Sequence, residues 1–393
     1  MKISKPYLIY NVTLVYEREC KYIDNSALLI ENSIIKEIFF DKSKWSILLD
    51  NDNIETFDGE KNILAPGLID MHIHGCKGFD TSFANKEEAL LNMAKTLEEN
   101  GITTFQPTLL YDYNLIKDLA LAINNNQVLK SYIPGLYIEG PFINEKKKGG
   151  IPDYCISESN IEKLNSLLDI KINNKCAIKT MTIAPEIKGI NPLINILNKN
   201  NIVIALGHSD ANLKDLPKLE KYHFTHLFNA MSSINHKNPG IAIFPFINND
   251  KESVTCELIG DGIHVDNDVM RFAFNCLNDK QVCLISDSMK FSKMGKGKMI
   301  YCNKLSYCDG KACYYRDNNT LIGSCTLISD SAKSLLKKKI ITKELFFKIA
   351  AVNPAKVLNL TNRGSIRVKN IADLVLYDKD FNVIKVFKQN KSL

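Results

Sequence analysis

The chain has 393 residues, of which 45% are hydrophobic and 24% charged, enough for a substantial core in one large domain with a smaller one beside it. Its net charge of +6 comes from lysines mixed with acidic residues along the whole length, which argues against a nucleic-acid partner. Since no run of eighteen apolar residues occurs, we expect no membrane span and no membrane partner.

The N-terminal segment predicts short strands rather than a targeting sequence. Residues 1–17 lack a long apolar stretch and a small-residue cleavage site, so no secretory leader is expected. Tyr7–Tyr16 and Ala27–Phe40 are rich in branched and aromatic residues and are broken by polar turns, a pattern typical of strands.

The eleven cysteines are scattered, odd in number and without CxxC pairs. Cys302, Cys308 and Cys313 lie close together, but no matching cluster completes a zinc pattern around them. We therefore expect free thiols and a cytoplasmic protein in a reducing compartment.

The segment Ile63–Gly75 carries the most informative motif of the chain. An apolar run rises from a Pro-Gly turn and ends in His72 and His74. Residues two apart in a strand point to the same side, so both imidazoles would face one spot. Imidazole is the commonest metal ligand among side chains, although two ordinary histidines at a strand end explain this motif equally well.

Beyond this motif the chain alternates between helix and strand. Lys86–Asn100 places an apolar stripe on one helix face and ends before Gly101, which stands at a typical C′ position. A strand at Thr103–Thr108 and a helical stretch near Tyr113–Val128 follow. Six further strands are predicted at Gly135–Glu139, Ile178–Ala184, Ile202–Gly207, Tyr222–His226, Val254–Gly260 and Val282–Ser286. With the strand of the HxH motif the count is eight, which predicts an α/β fold with a (β/α)8 TIM-like barrel.

The C-terminal segment Ile371–Phe387 returns to strand character. Two β-rich ends that flank a barrel predict that the termini pair with each other in a small β-domain. We expect this domain to comprise residues 1–63 and 364–393, and the barrel to comprise residues 64–363.

Polar side chains follow the predicted strands at the end where a barrel builds its active site. Glu139 ends the third strand, His208 follows the fifth, His226 ends the sixth and Asp287 follows the eighth. One carboxylate and two imidazoles form a three-ligand set for a divalent cation that leaves a position open for water. Strand ends are polar in any barrel, but that explains one or two such residues rather than this set. The grouping predicts a metal-assisted hydrolytic site.

Asp287 and His264 have two interpretations each. Asp287 could take a proton from water and return it to a leaving group, or it could be a helix cap or a buried ion-pair partner. His264, in the loop after the seventh strand, could hydrogen-bond a substrate carbonyl or sugar hydroxyl, or could face solvent. His223 lies three residues from His226, so we expect it to face the other way as a structural histidine. His236, in a polar loop, is expected to face solvent.

These residues, in this order, resemble the N-acetylglucosamine-6-phosphate deacetylases of the amidohydrolase superfamily. The HxH motif and the terminal ADLV are typical of the superfamily, whereas the EGP, GHS, THLFNAM and DGIHVD motifs are more specific. The likeness runs along nearly the whole chain, and includes PGLIDMHIHG, LGHSDA, SDSM, LIGSCTLI and ADLVLYD. It implies removal of acetate from N-acetyl-D-glucosamine 6-phosphate, a small β-sandwich formed by both termini, and a homodimer.

By motif, Glu139, His208 and His226 match the metal ligands and Asp287 matches the catalytic acid/base. The resemblance assigns the following positions to substrate binding: Gly150, Asn229, Ala230, Lys237, His264, Leu321, Ile322 and Gly323. Because His72 and His74 are both present, it also admits a second cation bridged by Glu139. We expect one or two divalent cations per subunit, zinc or iron, and no carboxylated lysine.

Two positions depart from the family's pattern. Ile151 stands where a substrate-contacting histidine is usual, although the Gly150 backbone can still donate to the ligand. Lys237 stands where an arginine usually reaches the phosphate in the neighbouring subunit, and lysine keeps the charge without the bidentate fork. The same deacetylation of another N-acetylhexosamine phosphate, such as the galactosamine epimer, therefore stays open. A non-catalytic phosphosugar-binding barrel is the alternative of a different class.

Overall fold

A computed structural model describes residues 5–388 of the chain. At its centre is a barrel of eight parallel strands, each paired with its neighbours in chain order. The barrel strands, numbered one to eight along the chain, are Leu68–Ile73, Ile102–Leu110, Leu136–Glu139, Ile178–Ile183, Val203–Leu206, Tyr222–Phe224, Val254–Ile259 and Val282–Ile285. They coincide with the eight strands predicted from the sequence, so the barrel is confirmed.

Helices cover the outside of the barrel with their apolar faces. Lys86–Glu99 illustrates the pattern, since the Asn85 side chain accepts the N–H of Glu88 at its start, and Leu90 and Leu97 join the main core. The other barrel helices are Tyr113–Asn125, Gln127–Tyr132, Ile161–Leu168, Ile190–Lys199, Phe244–Ile247, Asn267–Cys276, Ile328–Lys337, Lys343–Phe347, the π-helical Lys348–Val352 and Asn353–Val357. Among residues 5–388, no helix combines the length and apolarity needed to cross a bilayer.

The barrel closes between strands eight and one through residues at their ends. The N–H of Asp287 donates to the carbonyl of His72 at 2.9 Å, and the N–H of Ser286 donates to the Asp70 carboxylate at 3.2 Å. Closure therefore depends on the same short segments that carry the histidines of the HxH motif and Asp287.

The two chain ends form one seven-stranded sheet. Its strands are Tyr7–Tyr16, Lys21–Glu31, Ile34–Phe39, Glu55–Asp58, Ile63–Pro66, Leu374–Tyr377 and Val383–Phe387, and the short helix Lys42–Ser46 packs beside it. Ile63–Pro66 lies between Tyr7–Tyr16, to which it is parallel, and Leu374–Tyr377, to which it is antiparallel. Residues from opposite ends of the chain thus share one sheet, and the predicted terminal β-domain is confirmed.

The division of the chain into residue ranges stays a prediction. The proposed boundary at residues 63 and 64 falls inside Ile63–Pro66, a strand of the terminal sheet. Residues 1–4 and 389–393 of the predicted domain ranges lie outside the described residues.

A four-stranded antiparallel sheet after barrel strand eight was not predicted. Its strands are Lys296–Tyr301, Lys304–Asp309, Ala312–Tyr315 and Leu321–Ser324. Cys308 and Cys313 lie opposite each other in this sheet and form a disulfide, with Cα atoms 4.2 Å apart. The expectation that all cysteines are free is wrong here, because a hairpin places these two side by side; the other nine are free.

Candidate active site

The carboxyl ends of the barrel strands surround a cavity of about 270 Å³. Residues from several strand ends and loops line it: His74, Leu110, Glu139, Gly149, Gly150, Ile151, His208, His226, Asn229, Ala230, His264, Asp287, Tyr301, Thr320, Leu321, Ile322 and Gly323. All of the predicted site residues are in this lining except His72 and Lys237. His72 lies just below, fully buried, with its Nε2 3.6 Å from Asp287 Oδ1.

Glu139, His208 and His226 bring three possible ligand atoms together. Glu139 Oε1 lies 2.9 Å from Nε2 of His208 and 3.1 Å from Nε2 of His226, and the two Nε2 atoms are 3.1 Å apart. All three side chains are buried. This is the ligand set expected from the sequence, assembled from the ends of strands three, five and six.

His72, His74 and Asp287 form a second group of three beside the first. Asp287 Oδ1 lies 3.2 Å from Nε2 of His74 and 3.6 Å from Nε2 of His72. Glu139 stands between the groups, since its Oε1 faces the first and its Oε2 lies 3.5 Å from His74 Nε2. The geometry therefore offers two adjacent cation positions with one carboxylate common to both.

Three of these residues hold left-handed backbone conformations directly after their strands. The φ angles are 46° at His208, 26° at His226 and 47° at Asp287. Non-glycine residues pay a steric cost for this conformation and hold it where the surroundings require it. Each strand thus ends in a sharp turn that aims its last polar side chain over the barrel mouth.

Hydrogen bonds to the imidazoles decide which ring nitrogen faces the cation positions. His208 Nδ1 lies 2.9 Å from the carbonyl of Lys147, and His72 Nδ1 lies 3.0 Å from the Glu257 carboxylate. Because both partners only accept, each Nδ1 carries the proton and Nε2 is the nitrogen that can bind a cation. His72 Nε2 has no hydrogen-bond partner among the described residues, which fits a metal ligand. The donor set of imidazoles and carboxylates suits a divalent cation.

The charges of the two groups stabilise one another. Burial by itself would raise the pKa of Glu139, but the adjacent His208 and His226 imidazoles outweigh it and hold the pKa well below its usual value. Burial also opposes ionisation of Asp287, yet the pKa of this carboxyl is lowered by His74 and His72. Both carboxylates are therefore ionised at neutral pH.

The pKa of His72 is raised, whereas the pKa values of Glu139 and Asp287 are lowered. Burial would lower the pKa of His72, but the carboxylates of Glu257, Asp287 and Glu139 raise it to about 10. A cation bound at His72 Nε2 would therefore displace a proton, and cation binding at this position should weaken as the pH falls.

The rest of the cavity wall is built from loops and one strand. His264 Nδ1 lies 2.6 Å from the Asp261 carboxylate, which fixes the ring and leaves its Nε2 edge to meet a ligand. The strand Leu321–Ser324 lies against the site, since the N–H of Ser324 donates to the carbonyl of Asp287 at 2.9 Å. Asn229 and Ala230 follow His226 in the same loop.

Residues 63–393 match the model of the amidohydrolase family. The chain belongs to the amidohydrolase family. An N-acetylglucosamine-6-phosphate deacetylase from Bacillus subtilis is 30% identical to it over 386 residues, which cover 93% of this chain and 95% of that protein.

Solved structures of similar proteins share the fold of this amidohydrolase. An N-acetylglucosamine-6-phosphate deacetylase from Pasteurella multocida has a TM-score of 0.85 at 24% identity and covers 98% of both chains. A mutant N-acetyl-D-glucosamine-6-phosphate deacetylase from Mycobacterium smegmatis, solved in complex with N-acetyl-D-glucosamine-6-phosphate, has a TM-score of 0.82 at 21% identity. It covers 98% of this chain and 97% of that chain.

The two positions that depart from the family's pattern differ in their surroundings. Ile151 borders the cavity but is only 4% exposed, because it packs in a small apolar cluster with Ile143 and Cys155. Lys237 is exposed in the loop between barrel strands six and seven and does not line the cavity.

Two glutamates near the site, the buried Glu257 and the partly buried Glu186, were not assigned from the sequence. Glu186 joins three loops, since its carboxylate accepts from Asn144 Nδ2, Ser209 Oγ and the N–H of Asp210. Glu257 lies inside strand seven with no exposed surface and reaches His72. A lone acidic residue within an apolar strand, Val254–Ile259, was the signal that could have revealed Glu257.

The expectation that His223 faces the other way from His226 is wrong. His223 is buried, with its Nε2 3.2 Å from Glu257 Oε1, and its ring therefore points into the barrel below the cation positions. The reason is that the strand ends at Phe224 and His226 adopts a positive φ, so the alternation of a regular strand stops between the two histidines.

Proposed function

We propose that this amidohydrolase removes the acetyl group of N-acetyl-D-glucosamine 6-phosphate to give D-glucosamine 6-phosphate and acetate. The observation that carries the proposal is the pair of ligand groups that share Glu139, with Asp287 beside them at the mouth of the barrel. The Bacillus subtilis relative, 30% identical over nearly the whole chain, is named for this reaction.

In this proposal Glu139, His208 and His226 would hold one divalent cation, and His72, His74 and Asp287 would hold the second where two are bound. A bound cation supplies Lewis acidity, which polarises a carbonyl and makes a water molecule more acidic. Zinc and iron both suit this set of nitrogen and oxygen donors, and their availability in the cell decides between them.

Asp287 carries the proton during the reaction. Its ionised carboxylate takes a proton from water as the water oxygen bonds to the carbonyl carbon of the acetamido group. The carbon–nitrogen bond then breaks, Asp287 returns the proton to the departing nitrogen, and the amine and acetate leave. The Nδ1–H of His264 is donated to Asp261, which leaves Nε2 as an acceptor, and His264 would orient the substrate by accepting from the amide N–H or a sugar hydroxyl.

The sugar phosphate would lie along the remaining cavity wall. Asn229, Ala230 and the Gly150 backbone form one side of that wall, and the strand that contains Leu321, Ile322 and Gly323 forms the other. In the homodimer that the resemblance implies, Lys237, which is exposed and outside the cavity lining, would reach the phosphate bound by the neighbouring subunit. We further propose a cytoplasmic enzyme without nucleic-acid or membrane partners.

Asp287→Asn tests the proton route. The amide keeps the shape but cannot accept a proton, so we expect kcat to fall by about 10²–10⁴, the usual contribution of a general acid–base group. Because Asp287 also belongs to the second cation position, acetate release is compared at equal metal content, and Asp268→Asn is the same change at an exposed position. Turnover close to that of the unchanged protein in Asp287→Asn would refute this role.

The substrate is tested by acetate release from a panel of N-acetylated hexosamines, each with and without the 6-phosphate. We expect the highest kcat/KM for N-acetyl-D-glucosamine 6-phosphate. A preference for the galactosamine epimer would correct the substrate and keep the reaction. Binding of sugar phosphates without release of acetate from any of them would instead favour a non-catalytic barrel.

A further inference from the structure

Glu257 contacts residues of both groups of proposed metal ligands. It lies in barrel strand seven, Val254–Ile259, and its side chain is fully buried. One carboxylate oxygen, Oε2, accepts both the His72 Nδ1–H at 3.0 Å and the backbone N–H of His226 at 3.0 Å. A single buried oxygen therefore contacts one residue from each of the two ligand groups.

The other carboxylate oxygen of Glu257 contacts a histidine of barrel strand six. Glu257 Oε1 lies 3.2 Å from Nε2 of His223, whose Nδ1 lies 2.8 Å from the Thr255 hydroxyl. Both oxygens are thus occupied, and the carboxylate has one orientation. Burying a charge in this way is costly unless each of its oxygens is paired, as it is here.

The contact with His72 decides what that ring can do. Since a carboxylate only accepts, Nδ1 must keep its proton, and the ring can bind a cation only through Nε2. That nitrogen lies 3.6 Å from Asp287 Oδ1 and 3.9 Å from Glu139 Oε1, beyond hydrogen-bond distance from both. The ring is therefore held at a distance from the two carboxylates that leaves room between them for an ion.

We propose that Glu257 is a positioning residue that orients His72 toward the second cation position and fixes the backbone of His226 at the first. This inference rests on the proposed function only in that the two groups hold cations. Partners of this kind also make the imidazole a stronger donor, and their loss typically costs 10–100-fold in metal affinity.

Glu257→Gln is the direct test because it keeps the shape and removes the charge. Metal-free protein is titrated with Zn²⁺ in competition with a chromophoric chelator, and bound zinc is counted after dialysis. Binding of one zinc ion should be lost in His72→Gln. We expect the same ion to bind about 10–100-fold more weakly in Glu257→Gln. Glu252→Gln, the same change at an exposed residue just before the strand, should bind zinc like the unchanged protein.

Zinc affinity in Glu257→Gln equal to that of the unchanged protein would overturn the inference. If this variant does not fold, His223→Gln replaces it, because it frees Glu257 Oε1 and should weaken the same zinc ion by a smaller factor. Unchanged zinc binding in His223→Gln would then count against the proposal. Protein that binds zinc as expected but releases no acetate would refute the proposed function and leave the role of Glu257 intact.

Discussion

Glu139 Oε1 lies near three imidazole nitrogens, at 2.9 Å from His208, 3.1 Å from His226 and 3.9 Å from His72. Without that negative charge the rings would present only neutral donors, and a cation would lose the one ligand common to both positions. Glu139 is therefore the residue whose loss should affect both proposed cation positions.

Glu139→Gln should accordingly weaken zinc binding by more than about 100-fold, which is more than we expect from the loss of Glu257. The expected cause is the loss of the shared charge, because the amide keeps the size of the side chain. Zinc counting after dialysis measures the effect, and Glu158→Gln is the matched change at an exposed residue. Two tightly bound zinc ions in Glu139→Gln would contradict this account.

Ile151 shows how one residue can border the site and still act mainly through packing. It is 4% exposed and contacts Ile143 and Cys155 in a separate apolar cluster. Ile151→Ala should lower the free energy of unfolding by roughly 2–5 kcal/mol, the usual cost of such a cavity.

Urea denaturation measures this loss, and Ile247→Ala, at a side chain that is 56% exposed, provides the control. A change below about 0.5 kcal/mol in Ile151→Ala would mean that the cluster collapses around the cavity without cost.

At the scale of elements, the strand Leu321–Ser324 of the four-stranded sheet packs against the segment that contains Asp287. Gly323 has a φ of 149°, and a Cβ atom there would lie 2.7 Å from Met289 Cγ and 2.9 Å from the Asp287 carbonyl. Only glycine allows the strand to approach this closely.

Gly323→Ala should therefore push the strand away from Asp287 and reduce kcat/KM, and should lower the free energy of unfolding by about 1–3 kcal/mol. Gly295→Ala is the matched control, since its φ is also positive at 83° but no described atom lies within 4 Å of its Cβ position. Equal activity in the two variants, measured as acetate release, would show that the close approach is unimportant.

At the scale of the whole molecule, a buried group of charges joins the barrel to the terminal sheet. The Asp373 carboxylate lies 2.9 Å from Arg363 Nη1 and 3.0 Å from Lys388 Nζ, and both cations also donate to the carbonyl of Ser131 in the barrel. Burial lowers the pKa of Lys388 to about 8 despite the attraction of Asp373.

This pKa makes the stability of the fold depend on pH. Between about 8 and the ordinary value of 10.5, the unfolded chain holds more protons on Lys388 than the folded one, so this group's contribution to stability rises with pH through that range. Lys388→Met removes the contribution. The Tm of the unchanged protein minus the Tm of the variant should therefore increase from pH 7.5 to pH 9.5. Lys379→Met, at an exposed residue, should show no such change, and parallel Tm profiles for Lys388→Met would refute the account.

The local pattern of the sequence determined the barrel and most of the cavity lining. Apolar runs of strand length ended in polar residues at regular intervals, and parallel strands place such ends at one rim of a barrel. Glu139, His208, His226 and Asp287 could therefore be grouped in advance, although up to 148 residues separate them in the chain.

Only the tertiary structure decided how these groups are held. The contacts of Glu257, the disulfide between Cys308 and Cys313 and the close approach of Gly323 to Asp287 depend on which strands and loops become neighbours. Residue spacing encodes the direction of a side chain within its own element, but it does not encode the distance between elements. That distance is set by packing of the complete chain, and the orientation of His72 by Glu257 therefore follows from the closed barrel alone.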